Sequence, residues 1–175
     1  MTNDKYVAWF ITSPLWMNRT VKKLFFFATH MGALGIGFAL GIYLLPIISA
    51  PPAPSDAEVT AAMSDAKFTG EFRRDLQDSD ALHWGEGKVF VSNTAVSLQG
   101  EVAPGPAYRL YLSPKFVETE DAFLQMKSEM ALVGDVKTFK NFIVSMPNGV
   151  DPTQYNTVLV WCEAFSQFIT AAQYQ

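Results

Sequence analysis

The chain has 175 residues, with 13 Lys and Arg against 17 Asp and Glu. The charge is unevenly placed: residues 1–55 carry Lys5, Arg19, Lys22 and Lys23 against Asp4, whereas residues 56–175 carry 9 basic and 16 acidic side chains. An acidic globular part lacks the electrostatic footprint of a nucleic-acid binder, so that partner class is set aside, and a lone cysteine, Cys162, rules out an intrachain disulfide.

Residues 1–23 form an N-terminal arm rich in aromatic side chains. Tyr6, Trp9, Phe10 and Trp16 are read as interfacial anchors, because rings with one polar edge favour the membrane–water boundary. A docking arm against another membrane protein is the alternative. Pro14 divides any helix formed there.

Leu24–Ile48 contains no Asp, Glu, Lys or Arg over 25 positions. At about 1.5 Å per residue this is roughly 37 Å of helix, enough to cross a ~30 Å hydrocarbon layer with some tilt. A cleavable signal sequence has an apolar region of only about 7–15 residues. Ala50 is small enough for a cleavage site, but Pro51 and Pro52 follow it. The expectation is therefore a retained single-pass anchor, 24–48, solvated by membrane lipid. Basic residues precede the span, and Asp56 and Glu58 are the first charges after it. By the positive-inside rule the N-terminus faces the cytoplasm and residues 56–175 lie on the periplasmic or extracellular side of a cytoplasmic (inner) membrane.

Within the span, Ala33, Gly37 and Gly41 recur every four residues on one helix face. Small side chains at that spacing let another transmembrane helix approach closely, although glycine is also simply common in membrane helices. His30 is the ionisable residue inside the span. It is read either as an intramembrane hydrogen-bonding group or as a ligand to haem or to the magnesium of a (bacterio)chlorophyll.

Residues 49–66 follow as a linker and short helix. Ser49–Ser55 holds three prolines, the mark of an extended, semi-rigid spacer. Asp56–Lys67 then predicts a helix capped by Ser55 or Asp56. From Phe68 onward the period becomes two, with runs at Lys88–Asn93, Ala95–Gln99, Tyr108–Ser113, Asn141–Met146 and Thr157–Cys162. Thr157–Cys162 is apolar on both faces, as a central strand requires. Glu118–Glu129 is the exception, with helical spacing of Ala122, Phe123 and Met126. Short strands between Gly, Pro and Asn turns predict a mainly β fold, an antiparallel β-sandwich over 67–175.

Several blocks occur in a fixed order: Gly70-x-Phe72, His83-x-Gly85, Pro104-Gly-Pro-Ala-Tyr-Arg-Leu-Tyr-Leu-Ser113, Leu132-x-Gly134 and Phe142-x-Val144-x-x-Pro147. Tyr155-x-x-Val158-x-Val-Trp-Cys162-x-x-Phe165-x-x-Phe168 completes the set. Together they resemble the DM thirteen (DM13) domain, the Skeletor-associated electron-transfer domain, over roughly Lys67–Gln175. Two positions depart from that pattern. Thr138-Phe-Lys-Asn141 stands where a glycine-and-aromatic element is usual, and Phe168-Ile169 replaces Phe-Gly. The resemblance implies a compact β-sandwich, and electron transfer in which the family's cysteine, here Cys162, ligates haem or another metal.

Read from the residues alone, Cys162 shares a strand face with Val158 and Val160 and is read first as a buried small hydrophobe, with redox or metal ligation, or a bond to a partner, as the alternatives. Beside it Glu163 would raise the thiol pKa. His83 is the histidine available to complete a two-ligand redox or metal site with Cys162; otherwise it is a turn histidine bonded to backbone near Gly85. A protein-held metal usually needs three or four ligands. No nucleophile elbow, phosphate loop or His-rich metal motif occurs. Asp78/Asp80 and Glu118/Glu120/Asp121 are read as solvated loop charge, with calcium binding as the alternative, and Arg73-Arg74 as surface ion-pair partners.

Two functions follow. The first is a non-catalytic accessory subunit, holding no cofactor of its own, that packs on the transmembrane helices of a larger respiratory or photosynthetic type of complex. The second is an electron-transfer protein using Cys162.

Overall fold

The structure is a computed structural model and describes residues 18–175. Tyr6, Trp9, Phe10 and Trp16 lie outside the described residues. Two compact units part at Gly41/Ile42.

Helix α1 spans Arg19–Ser49, and none of its residues is buried by the rest of the chain. Among the described residues it is the one helix long and apolar enough to cross a membrane. Pro46 costs it an amide donor near the C-terminal end, where the Ser49 hydroxyl donates to the Leu45 carbonyl at 2.7 Å.

Helix α2, Asp56–Met63, starts on a full capping box. The Glu58 amide donates to Ser55 Oγ at 3.3 Å, and the Ser55 amide donates to the Glu58 carboxylate at 2.7 Å. Eight residues are too few for a helix to persist alone in water. It holds because Val59 is fully buried where α2 packs on the sheet, a contribution of roughly 1.5–3 kcal/mol.

Eight strands follow: β1 Phe68–Phe72, β2 Gly85–Val91, β3 Ala95–Val102, β4 Tyr108–Ser113, β5 Ala131–Val136, β6 Lys140–Ser145, β7 Thr157–Cys162 and β8 Gln167–Gln173. They pair antiparallel in two four-stranded sheets, β1-β2-β3-β6 and β5-β4-β7-β8. The sandwich expected from the strand pattern is thus present. At one side β1 approaches β8 and at the other β5 approaches β6, so the two sheets nearly close on each other. Val89, Val91, Val96 and Leu98 of the first sheet meet Leu110, Leu112, Val158 and Val160 of the second in the interior.

A second apolar layer covers the outer face of β4-β7-β8. Helix α3, Glu120–Met126, is capped by Thr119 and lays Phe123 on Trp161, ring centroids 3.8 Å apart. Leu159 and Phe168 join that layer, whereas Val158 and Val160 point into the sandwich. This double cover explains why all six residues of β7 are buried.

The proline-rich linker is fastened at its far end. Asn141 adopts φ +48°, and its side-chain amide donates to Pro54 O at 3.2 Å and to Asp56 Oδ1 at 2.9 Å. Its own oxygen accepts the Gly100 amide at 3.0 Å, and Thr138 Oγ1 donates to the Asn141 carbonyl at 2.6 Å. Asn tolerates the left-handed region that otherwise favours glycine. The departure Thr138-Phe-Lys-Asn141 therefore keeps that backbone available and adds a clasp. Residues 50–55 carry no regular secondary structure, and the segment is pinned to the sheet at Pro54 and Asp56.

Candidate functional site

Cys162 ends β7, opposite Tyr108 of β4 and Gln167 of β8. The alternation of β7 turns its thiol inward with Val158 and Val160, and the residue is 3% exposed. Its S–H donates to the Pro106 carbonyl at 3.2 Å. Burial pushes the thiol pKa up; the amides of Phe165 and Ala164 oppose that shift, and the Glu163 charge adds to it. A buried thiol held protonated is a poor nucleophile and a poor metal ligand.

The loop facing Cys162 is shaped by Gly105 and Tyr108. A β-carbon at Gly105 would fall 2.3 Å from the Tyr108 hydroxyl and 2.6 Å from its ring. The Pro-Gly-Pro-Ala-Tyr block is therefore a packing device: it lays a buried tyrosine beneath a bare backbone. Burial drives the Tyr108 hydroxyl pKa well above its ordinary value.

His83 has a hydrogen-bond partner other than Cys162. Its Nδ1 lies 3.0 Å from Asp80 Oδ2, while Asp80 Oδ1 accepts the amides of Leu82 and His83 at 2.6 and 2.8 Å. The ring thus bonds a carboxylate rather than the backbone near Gly85. Burial alone would raise the Asp80 pKa, but the bonds from the His83 ring and the two amides bring it below the usual range. Asp78 serves locally too, accepting the Glu120 amide at 2.7 Å. Among the described residues no three His, Cys, Asp or Glu side chains converge as a metal site. Arg73 pairs with Asp75 and Arg74 with Glu86, all four side chains well exposed.

On α1, His30 Nδ1 lies 2.7 Å from the Phe26 carbonyl. A carbonyl can only accept, so Nδ1 donates in this contact and Nε2 is left without a partner among the described residues. Along the same helix nothing lies within 4 Å of a β-carbon built at Gly37 or Gly41, and Ala33 is exposed beside them.

Sequence reasoning missed one cluster. Glu163 points to the outer face of β7, where Tyr111 donates to its carboxylate and Lys127 Nζ reaches both oxygens at 3.0 and 2.9 Å. Lys127 also sits over the Tyr111 and Phe123 rings. Burial by itself would raise the Glu163 pKa; the Tyr111 and Lys127 bonds outweigh it and hold the carboxyl below the usual range. The three residues are 52 and 36 positions apart in sequence. Only the strand pairing and the placement of α3 bring them together.

These features define a small antiparallel β-sandwich with one buried thiol, following a helix fit to cross a membrane. The family model described as Electron transfer DM13 matches residues 71–174, and the chain belongs to that family. No curated protein and no solved structure matches the chain. The family description speaks of electron transfer; the haem or metal at Cys162 that the sequence resemblance implies is not fitted by the residues present. The thiol is a single donor, already bonded to Pro106 O and packed among core side chains, while the His83 ring is bonded to Asp80.

Proposed function

We propose that this chain is a single-pass, membrane-anchored accessory subunit, whose β-sandwich docks on a larger membrane complex of the respiratory or photosynthetic type. The domain works as a non-catalytic interaction module without a cofactor of its own. One observation carries the reading: α1 presents Ala33, Gly37 and Gly41 as an open ridge, with no described side chain covering it. Arg19, Lys22 and Lys23 before the span, and Asp56 and Glu58 after it, support an N-terminus in the cytoplasm and a domain on the far side. His30, with Nε2 outward, is suited to a hydrogen bond or pigment contact from a neighbouring helix in the same complex.

The test is purification of the full chain in mild detergent with its bound partners. Gly37→Leu is expected to reduce partner recovery severalfold while the domain keeps its thermal transition; unchanged recovery refutes the reading. The family description favours a second function, electron transfer, which the sequence resemblance would route through Cys162, with or without His83. The same preparation separates the two. A Soret band lost in Cys162→Ala would establish the second, whereas a colourless preparation is expected from the first.

A further inference from the structure

The unit Ile42–Gln175 contains a cleft of about 500 Å³ beside the end of α1. Leu45, Pro46 and Pro51 line one part of it, and Tyr108, Arg109 and Lys137 another. The apolar run ends at Ile48, before the proline-rich segment, so a wall built from residues 45–51 stands where hydrocarbon gives way to headgroups. The cleft is also electrostatically unusual for this unit. Residues 56–175 carry 9 basic against 16 acidic side chains, yet Asp135 is the one carboxylate in the lining against two cations. Arg109 meets Asp135 only loosely, at 3.6 Å with both side chains about half exposed. Lys137 is exposed and enters no ion pair among the described residues.

We propose that this cleft seats the headgroup of an anionic phospholipid from the leaflet in which α1 ends. The phosphate is held by Arg109 and Lys137, and the first acyl carbons lie along Leu45 and Pro46. An exposed guanidinium and ammonium at the headgroup level attract anionic lipid, and apolar walls below them suit the chain. The inference needs α1 to span the membrane but is independent of any partner complex. Failure of the chain to stay with membranes after alkaline extraction would expose the first condition separately.

The experiment is native mass spectrometry of the full chain in detergent with equimolar palmitoyl-oleoyl phosphatidylglycerol and phosphatidylcholine. The expected result is a retained phosphatidylglycerol adduct, favoured roughly tenfold. Arg109→Gln with Lys137→Gln abolishes that preference, Lys137→Gln alone weakens it, and Lys88→Gln on β2 leaves it intact. Equal retention of the two lipids, or an equal loss in Lys88→Gln, overturns the proposal. Displacement of the lipid by inorganic phosphate at the same concentration does so too, since it marks a free-anion site. If the two cations serve only to offset the carbonyl end of α1, the variants lower the unfolding temperature without changing lipid retention, which equally overturns it.

Discussion

Replacing Asn141 tests whether the linker is truly clasped to the sandwich. Asn141→Gly keeps the left-handed backbone but removes three side-chain bonds, to Gly100 N, Pro54 O and Asp56 Oδ1. A neutral hydrogen bond is worth about 0.5–1.5 kcal/mol net and one to a carboxylate about 1.5–3. Water recovers part of this at the Pro54 and Asp56 end, leaving an expected loss of about 2–3 kcal/mol. Asn141→Ala loses the same bonds and also places a β-carbon at φ +48°, adding about 1 kcal/mol. For a domain of this size each kcal/mol lowers the melting temperature by roughly 3–6 °C. The Gly variant should therefore melt about 6–18 °C lower and the Ala variant about 3–6 °C below that. The assay is near-ultraviolet circular dichroism of the full chain in detergent, followed through the thermal transition. A Gly variant within about 1 kcal/mol of the parent, or an Ala variant no worse than Gly, would refute the clasp.

Two further outcomes follow from the geometry. A β-carbon at Gly85 would fall 2.5 Å from Thr170 Cγ2 and 2.8 Å from its Cβ, so Gly85→Ala should cost about 1–3 kcal/mol in thermal or denaturant unfolding. Thr170→Ala should restore only part of that loss, because the Cβ contact remains; full rescue would count against the packing described. Glu163 has its pKa depressed by Tyr111 and Lys127, so its contribution is complete above the ordinary glutamate value of about 4.3 and disappears as pH falls through the lower folded value. Melting temperatures of Glu163→Gln and the parent should differ most near pH 7 and converge below about pH 4; a gap independent of pH would contradict the assignment.

The long apolar helix and the central strands were readable because each has a single strong pattern. An uncharged run longer than the hydrocarbon layer has few alternatives, and Tyr108–Ser113 and Thr157–Cys162 match β4 and β7 in full. Three strands escaped notice. In β8 a bulge at Ile169, opposite Val160/Trp161 of β7, breaks the alternation, and β5 carries a similar shift opposite Leu110/Tyr111. In β1 only Phe68 and Phe72 mark the inner face around Gly70, whose lack of a side chain lets β1 lie against Gln173 and Ala172 of β8. The helix at Glu118–Glu129 was visible, but its actual span, Glu120–Met126, is set by the Thr119 cap.

Local chemistry in the sequence was thus enough to determine that the chain has one helix suited to lipid, a β-rich body after it and a family-specific order of turns and strands. Hydrophobic length and side-chain period are properties of contiguous residues, so no fold is needed to read them. The tertiary structure alone decided that Cys162 faces inward onto Pro106 O, that His83 keeps company with Asp80, and that Glu163 gathers Tyr111 and Lys127 on the opposite face. Those outcomes depend on strand register, where a shift of one residue would exchange the two faces of β7 and place Trp161 in the interior instead of the thiol.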